Sequence, residues 1–238
     1  MATTPRDRLL QFTRHYAAGE FDSALELIDA LLAEHPEAGP MHWQRARTLE
    51  KLRRWDETRK AVDKVIELRH GFAPAWVLRA ELSPVTEPTA ETDLRKAISL
   101  DPTLGRPRYL LALLIHGRGG NMADARRLMD EAIVLDSTLH EALATRAGWN
   151  RIEAYTEPGM RTAHLEKALS DFERAISVEP LPDYRFARAD ILRQLGRDEE
   201  AIPVLENLLA EIPPGEDLHG LAEEAWREAM SKRSAATA

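Results

Sequence analysis

One pattern recurs along this 238-residue chain: a small residue, apolar residues four and seven positions later, and often a proline twelve later. Ala24, Ile28, Leu31 and Pro36 form the first copy. Thr58, Val62, Val65 and His70 form a second, weaker one. Ala90, Leu94, Ala97 and Pro102 follow, then Ala125, Met129, Ala132 and Ser137. Ala168, Phe172, Ala175 and Pro180 are the fifth set, and Ala201, Leu205, Leu208 and Pro213 the last. The first residues of successive copies stand 34, 32, 35, 43 and 33 positions apart. Offsets of four and seven put three residues on one face of a helix. The small residue lets a neighbouring helix approach closely. Proline ends the helix, because it lacks an N–H and restrains the residue before it.

A second amphipathic stretch precedes each copy, as in Trp76–Leu82 and Tyr184–Leu195. Four of these stretches carry an Arg-Ala pair: Arg45-Ala46, Arg79-Ala80, Arg146-Ala147 and Arg188-Ala189. Phe12 and Leu113 fill the equivalent small site in the other two. From this site to the next small residue is 12 positions in four repeats, 10 in the third and 21 in the fifth, so length varies between paired helices or in their adjoining ends. Turn signals stand there: Gly19-Glu20-Phe21, Arg53-Arg54-Trp55, Ser83 to Pro88, Gly119-Gly120-Asn121, Glu157-Pro158-Gly159 and Gly196-Arg197-Asp198. The Arg of each Arg-Ala pair is expected to pack its aliphatic stem between layers and reach a helix end or an acidic neighbour.

Six helix pairs of about 34 residues with these features resemble the tetratricopeptide repeat. The resemblance rests on Trp76 with Ala80, the Gly turn followed by Phe21, the series Ala24, Ala90, Ala125, Ala168 and Ala201, and the closing prolines. It spans residues 5–214, as repeats 5–38, 39–72, 73–104, 105–138, 139–181 and 182–214. Residues 216–233 carry Leu218, Leu221, Ala222, Ala225, Trp226 and Ala229 on one face and read as a capping helix; Ser234–Ala238 read as a frayed end. The expected fold is all-α, a single solenoid domain. The resemblance implies a right-handed superhelix with the first helices lining its concave face.

Chemistry motifs are missing. The eight His residues include no pair four apart, and Cys is absent, so helical metal sites, thiolate chemistry and disulfides have no sequence basis. The run His116-Gly117-Arg118-Gly119-Gly120-Asn121 lacks the Lys and Ser or Thr of a phosphate-binding loop and reads as a turn. No cofactor and no enzymatic activity are expected. The chain carries 32 basic and 40 acidic residues, net −8, and the C-terminal hundred residues hold most of the excess. That charge disfavours nucleic-acid binding. No stretch of 18 apolar residues suggests membrane insertion, and Met1–Phe12 has no apolar core of a secretory signal. A cytoplasmic setting is expected.

The resemblance also implies where a partner docks. Three positions before the small site of each first helix lie Leu9, Trp43, Val77, Leu110, Ala144 and Phe186, all apolar. The row just after the site is Thr13, Arg47, Glu81, Leu114, Gly148 and Asp190, with Tyr16, Glu50, Arg151 and Arg193 further along. The expected partner-binding groove therefore comprises Leu9, Trp43, Arg47, Val77, Glu81, Leu110, Leu114, Arg151, Phe186, Asp190 and Arg193. It suits an extended peptide or an amphipathic helix of a protein partner. Some of these side chains could instead pack between helices. Relatives that clamp the C-terminal carboxylate of chaperones use Lys, Asn and Arg at sites filled here by Leu9, Thr13, Gln44, Pro74 and Leu78, so that role is not expected. The function read from the sequence is a non-enzymatic scaffold or adaptor. Self-assembly into a homo-oligomer, or an enzyme with a site built across repeats, are the alternatives.

Overall fold

The computed structural model describes residues 4–84 and 87–236. Among these, thirteen α-helices and one short 3-10 turn account for the regular structure, with no strand. They are α1 (Pro5–Ala17), α2 (Phe21–Glu34), α3 (Gly39–Lys51), α4 (Trp55–Leu68), α5 (Ala73–Glu81), α6 (Pro88–Leu100), α7 (Arg106–Gly117), α8 (Met122–Leu135), α9 (His140–Thr156), α10 (Arg161–Val178), α11 (Pro182–Gln194), α12 (Asp198–Glu211) and α13 (Asp217–Ala236). The architecture is an all-α helical-repeat solenoid. It divides into two compact units, residues 1–128 and 129–238. In the first, α1 to α7 pack each against the next. In the second, α9 to α13 do the same, and α11 also touches α13.

Local chemistry sets the helix ends. Proline at the first or second position opens α1, α3, α5, α6, α7 and α11, where the missing N–H costs nothing. Pro36, Pro102, Pro180 and Pro213 stand two residues beyond the ends of α2, α6, α10 and α12. The residue before three of them is extended: Asp101 (φ −139°, ψ 94°), Glu179 (φ −139°, ψ 106°) and Ile212 (φ −94°, ψ 126°). Of the turn Ser83 to Pro88, Val85 and Thr86 lie outside the described residues, as do Thr237 and Ala238 at the end expected to fray.

Four first helices end in one hydrogen-bonded motif. After α1, Glu20 N–H donates to His15 C=O (2.9 Å) and Gly19 N–H to Tyr16 C=O (3.2 Å). The same pair of bonds closes α3, α7 and α11. Its pivot has positive φ: 77° at Gly19, 66° at Gly119, 75° at Gly196 and 56° at Arg53. Three are glycine, and the fourth carries a Cβ into the left-handed region.

The repeat triplets form the core. All eighteen second-helix residues, from Ala24, Ile28 and Leu31 to Ala201, Leu205 and Leu208, are at most 5% exposed. Ala46, Ala147 and Ala189 are fully buried at the first-helix small sites, and Phe12 nearly so. In α7 the assignment needs correction. Ala112 is fully buried and Leu113 only half-buried, so Ala112 holds the small site. The C-cap end keeps this register, with Arg118 six beyond Ala112 as Leu52 is six beyond Ala46 and Leu195 six beyond Ala189, and α7 is one residue shorter at its start.

The Arg-Ala arginines lock adjacent pairs together. Arg79 of α5 makes two 2.7 Å bonds to Asp93 on its own second helix, α6, and one of 3.2 Å to Asp63 on α4. Arg146 of α9 repeats this, at 2.7 and 2.8 Å to Asp171 on α10 and 2.6 Å to Asp130 on α8. Arg45 donates to Asp29 on α2 (2.6 Å) and approaches Glu57 on α4 (3.9 Å). Arg188 reaches Glu173 on α10 (3.2 Å). Asp93 and Asp171 are 2% and 5% exposed. Hydrogen bonds to these two carboxylates hold the Arg79 and Arg146 guanidinium groups above their ordinary pKa, with the second carboxylate adding to the effect.

The fifth pair takes up its extra length as helix. α9 has 17 residues and α10 has 18, joined by the 3-10 turn Pro158–Met160. His164 closes the extension, with Nδ1 3.3 Å from Glu153 and Nε2 3.2 Å from Glu157.

Arg146→Met strands the buried Asp171 carboxylate and should cost about 3–5 kcal/mol, while Arg146→Met/Asp171→Leu should restore much of that loss; urea titration of the three proteins measures both. Arg53→Gly relieves the left-handed side chain and should raise stability by about 1 kcal/mol, whereas Gly196→Ala should lower it by a similar amount. Equal midpoints for wild type and Arg53→Gly would contradict the second expectation.

Candidate functional site

In the first unit, the first helices bring six of the expected groove residues around two neighbouring cavities. The smaller, about 180 Å³, is lined by Trp43 and Arg47 from α3, Pro74, Val77, Leu78 and Glu81 from α5, and Leu104, Arg106 and Pro107 at the start of α7. The larger, about 240 Å³, lies between the end of α5, the inner face of α6 and the second half of α7. Its walls include Ala80, Glu81, Ala90, Leu94, Leu110, Leu113 and Leu114. Glu81 belongs to both, so the cavities share a wall.

Each wall residue has a structural cause for its place. Trp43 is half-buried and meets the Phe72 ring edge-on, with centroids 5.1 Å apart at 80°. The Arg47 guanidinium lies 5.9 Å from the Trp43 ring centroid and donates to Glu50 at 2.6 Å. Both contacts draw on the α3 sequence, where Trp43, Arg47 and Glu50 fall on one face at spacings of four and three. Val77 is buried, which leaves one flank of its side chain to the smaller cavity. Glu81 accepts a 2.8 Å bond from Arg106 Nε, which links the end of α5 to the start of α7. Leu110 is half-buried; Leu114 is 6% exposed, so it forms cavity floor and not an open face. Leu9 stands apart on α1, 41% exposed and lining neither cavity.

The second unit treats its expected residues differently. Arg151 of α9 donates to Asp190 of α11 at 2.7 Å. Arg193 lies 3.7 Å from the same carboxylate and pairs with Glu228 of α13. Gln194 adds a 2.9 Å bond to Asp190. Arg151, Asp190 and Arg193 therefore form a bridge across three helices. Phe186 is half-buried and packs with Ala144 on the hydrophobic cluster of this unit. The apolar surface instead lies on the extension of α9 and the following turn, where Ile152, Tyr155 and Met160 are 58%, 63% and 52% exposed.

Sequence reading missed Arg106, Leu104 and Pro107 as wall residues. Arg106 precedes the proline that opens α7, outside the spacing rule that selected the other positions. It also missed Asp93 and Asp171 as arginine partners. A signal existed: both stand three residues after the small residue, where the first, second, fourth and sixth copies have Leu27, Ala61, Leu128 and Val204. An acid on a face that is otherwise apolar demands a buried cation.

Among the described residues, no group of His, Asp and Glu is placed to hold a metal ion, and no helix is long and apolar enough to cross a membrane. The cavities are apolar, with charge confined to Glu81, Arg47 and Arg106 at the edges. Such a surface can bury apolar side chains of a second molecule.

A family model described as the tetratricopeptide repeat matches residues 9–71 and 160–216, half of the chain. No curated protein matches it in sequence. Solved structures do match in fold. The assembly chaperone of RpL4, Acl4 (residues 1–338), aligns over 99% of this chain and 100% of that chain at 16% identity and a TM-score of 0.65. PilW, a type IV pilus biogenesis factor, aligns over 92% and 98% at 16% identity with a TM-score of 0.68. YrrB, a repeat protein described as having an unusual peptide-binding site, aligns over 86% and 100% at 20% identity with a TM-score of 0.52.

Proposed function

The chain belongs to the tetratricopeptide repeat family, and on that premise we propose that it is a non-enzymatic scaffold that binds a segment of a protein partner on the first-helix face of residues 39–117. One observation carries this reading. Three successive first helices, α3, α5 and α7, surround two apolar cavities whose edge charges are already paired, Arg47 with Glu50 and Glu81 with Arg106. Burying an apolar side chain there gains the hydrophobic term without stripping water from an unpaired charge. The names of the structural neighbours, an assembly chaperone and a peptide-binding repeat protein among them, agree with such a role. The cytoplasmic setting belongs to the same proposal and draws on the lack of cysteine.

Within this proposal the groove residues divide. Trp43, Arg47, Val77, Glu81, Leu110 and Leu114 serve the partner. Arg151, Asp190 and Arg193 serve chiefly to hold α9, α11 and α13 together, with Phe186 anchored beside them. Leu9, with Leu10 at 52% exposure, offers a second apolar contact on α1.

The test is capture of a partner from lysate by tagged wild type and by Arg47→Glu/Leu110→Glu, both checked for native helix content by circular dichroism. Both side chains are only half-buried, so the double variant should fold. Loss of a true anchor weakens binding by about thirtyfold, so a protein held by wild type should be lost by the variant. Equal capture by both would overturn the proposed face, and capture of further copies of the same chain would favour self-assembly.

A further inference from the structure

The larger cavity exists because α5 is short. It has nine residues where α3 and α11 have thirteen. The difference is about one helical turn. Pro84 explains the stop: a helix running on through it would set the pyrrolidine ring against the Ala80 carbonyl, and Ser83 would be forced from its preferred region. The chain instead leaves the helix with Ser83 N–H on Ala80 C=O (3.1 Å) and Ser83 Oγ on Arg79 C=O (2.9 Å). α6 begins afresh at Pro88. The neighbouring helix α7 keeps its full length, so its second half faces the place of the missing turn. Leu110, Leu113 and Gly117 of α7 and Ala90 and Leu94 of α6 then line an apolar hollow of about 240 Å³ capped by Ala80, Glu81 and Ser83.

We infer that this hollow is a specificity pocket for one bulky uncharged side chain, Leu, Met, Ile or Phe, from an uncharged stretch of the partner segment. The inference rests on the scaffold reading and names what that face selects. Size points to a side chain. Pockets that bury a whole cofactor or drug-sized ligand start near 300 Å³, above the roughly 240 Å³ of this hollow. Charge points to an uncharged stretch. The carboxylate on the shared wall, Glu81, is held by Arg106 at 2.8 Å. Arg118, which follows Gly117, donates to Glu91 at 3.2 Å and to the Glu87 carbonyl at 2.6 Å. Arg47 beside the companion cavity is held by Glu50 at 2.6 Å. Arg59, beside the cap, donates to Ser83 Oγ at 3.2 Å and lies 3.8 Å from Glu87. A Lys or Glu of the partner meets charges that already have partners here and must desolvate itself against leucine.

The experiment is selection from a random peptide library displayed on phage, run on the full chain and counter-selected on Leu113→Trp. That substitution enlarges a half-buried wall residue into the hollow. The account predicts enriched peptides that share an uncharged stretch with one Leu, Met, Ile or Phe. They should bind wild type about thirtyfold more tightly than the filled variant, and they should shift the methyl resonances of Leu94 and Leu110. Leu110→Asp, which adds charge at the same wall, should give the same loss and serves if Leu113→Trp loses its helix content. A charged consensus, indifference to both variants, or no enrichment overturns the inference. Peptides that survive Leu113→Trp but are lost in Arg47→Glu would overturn the pocket and leave the scaffold reading standing. Peptides indifferent to all three substitutions would remove both.

Discussion

A carboxylate in the core of a helical protein needs a cation within reach, and Asp93 and Asp171 each have one, an arginine from the paired first helix. Each arginine then spends its remaining donors on the second helix of the preceding pair. One guanidinium thus fixes three helices at once. The alanine that follows it lets those helices come close enough for the contact. Close approach and ion pairing are two parts of one joint, and the spacing of 16 residues from Asp29 to Arg45, Asp63 to Arg79 and Asp130 to Arg146 shows it recurring. The joint is looser at Arg188, which bonds Glu173 on the preceding second helix at 3.2 Å and acts on Glu200 of its own second helix through charge alone.

The proposed binding face depends on that joint. Arg79 sits two residues before Glu81, so the ion pairs that seat α5 also place the wall between the two cavities. In the second unit the same positions are spent differently. Arg151, Asp190 and Arg193 tie α9 and α11 to the terminal helix, and the surface left for contact is the apolar extension around Ile152, Tyr155 and Met160. Equivalent positions in one repeat family can therefore line open cavities in one place and serve as internal bracing in another.

Much of the fold was legible in the sequence because its causes are local. A small residue with apolar neighbours at four and seven, glycine at a left-handed turn and proline beyond a helix each act within a few residues. All eighteen triplet positions are buried. The register of α7 was not legible, because Leu111, Ala112, Leu113 and Leu114 are all apolar and the pattern alone cannot say which faces inward. The candidate face was legible as a set of residue types and not as geometry. The ten-residue spacing in the third repeat placed a shortening in the turn or the adjoining helix ends, but that α5 takes it, and that the gap opens as an apolar hollow, depends on Pro84 and on α7 lying alongside. The buried acids escaped for the same reason: their partners stand 14 and 25 residues away, beyond any local rule.

The measurement that bears most directly on this account is hydrogen–deuterium exchange, resolved along the chain, for wild type and Arg79→Met. Removing that one guanidinium should lower protection in α4, α5 and α6 together, and leave α1 and α2 as in the wild type. Loss confined to α5, or unchanged protection across all three helices, would contradict the claim that a single arginine joins neighbouring repeats.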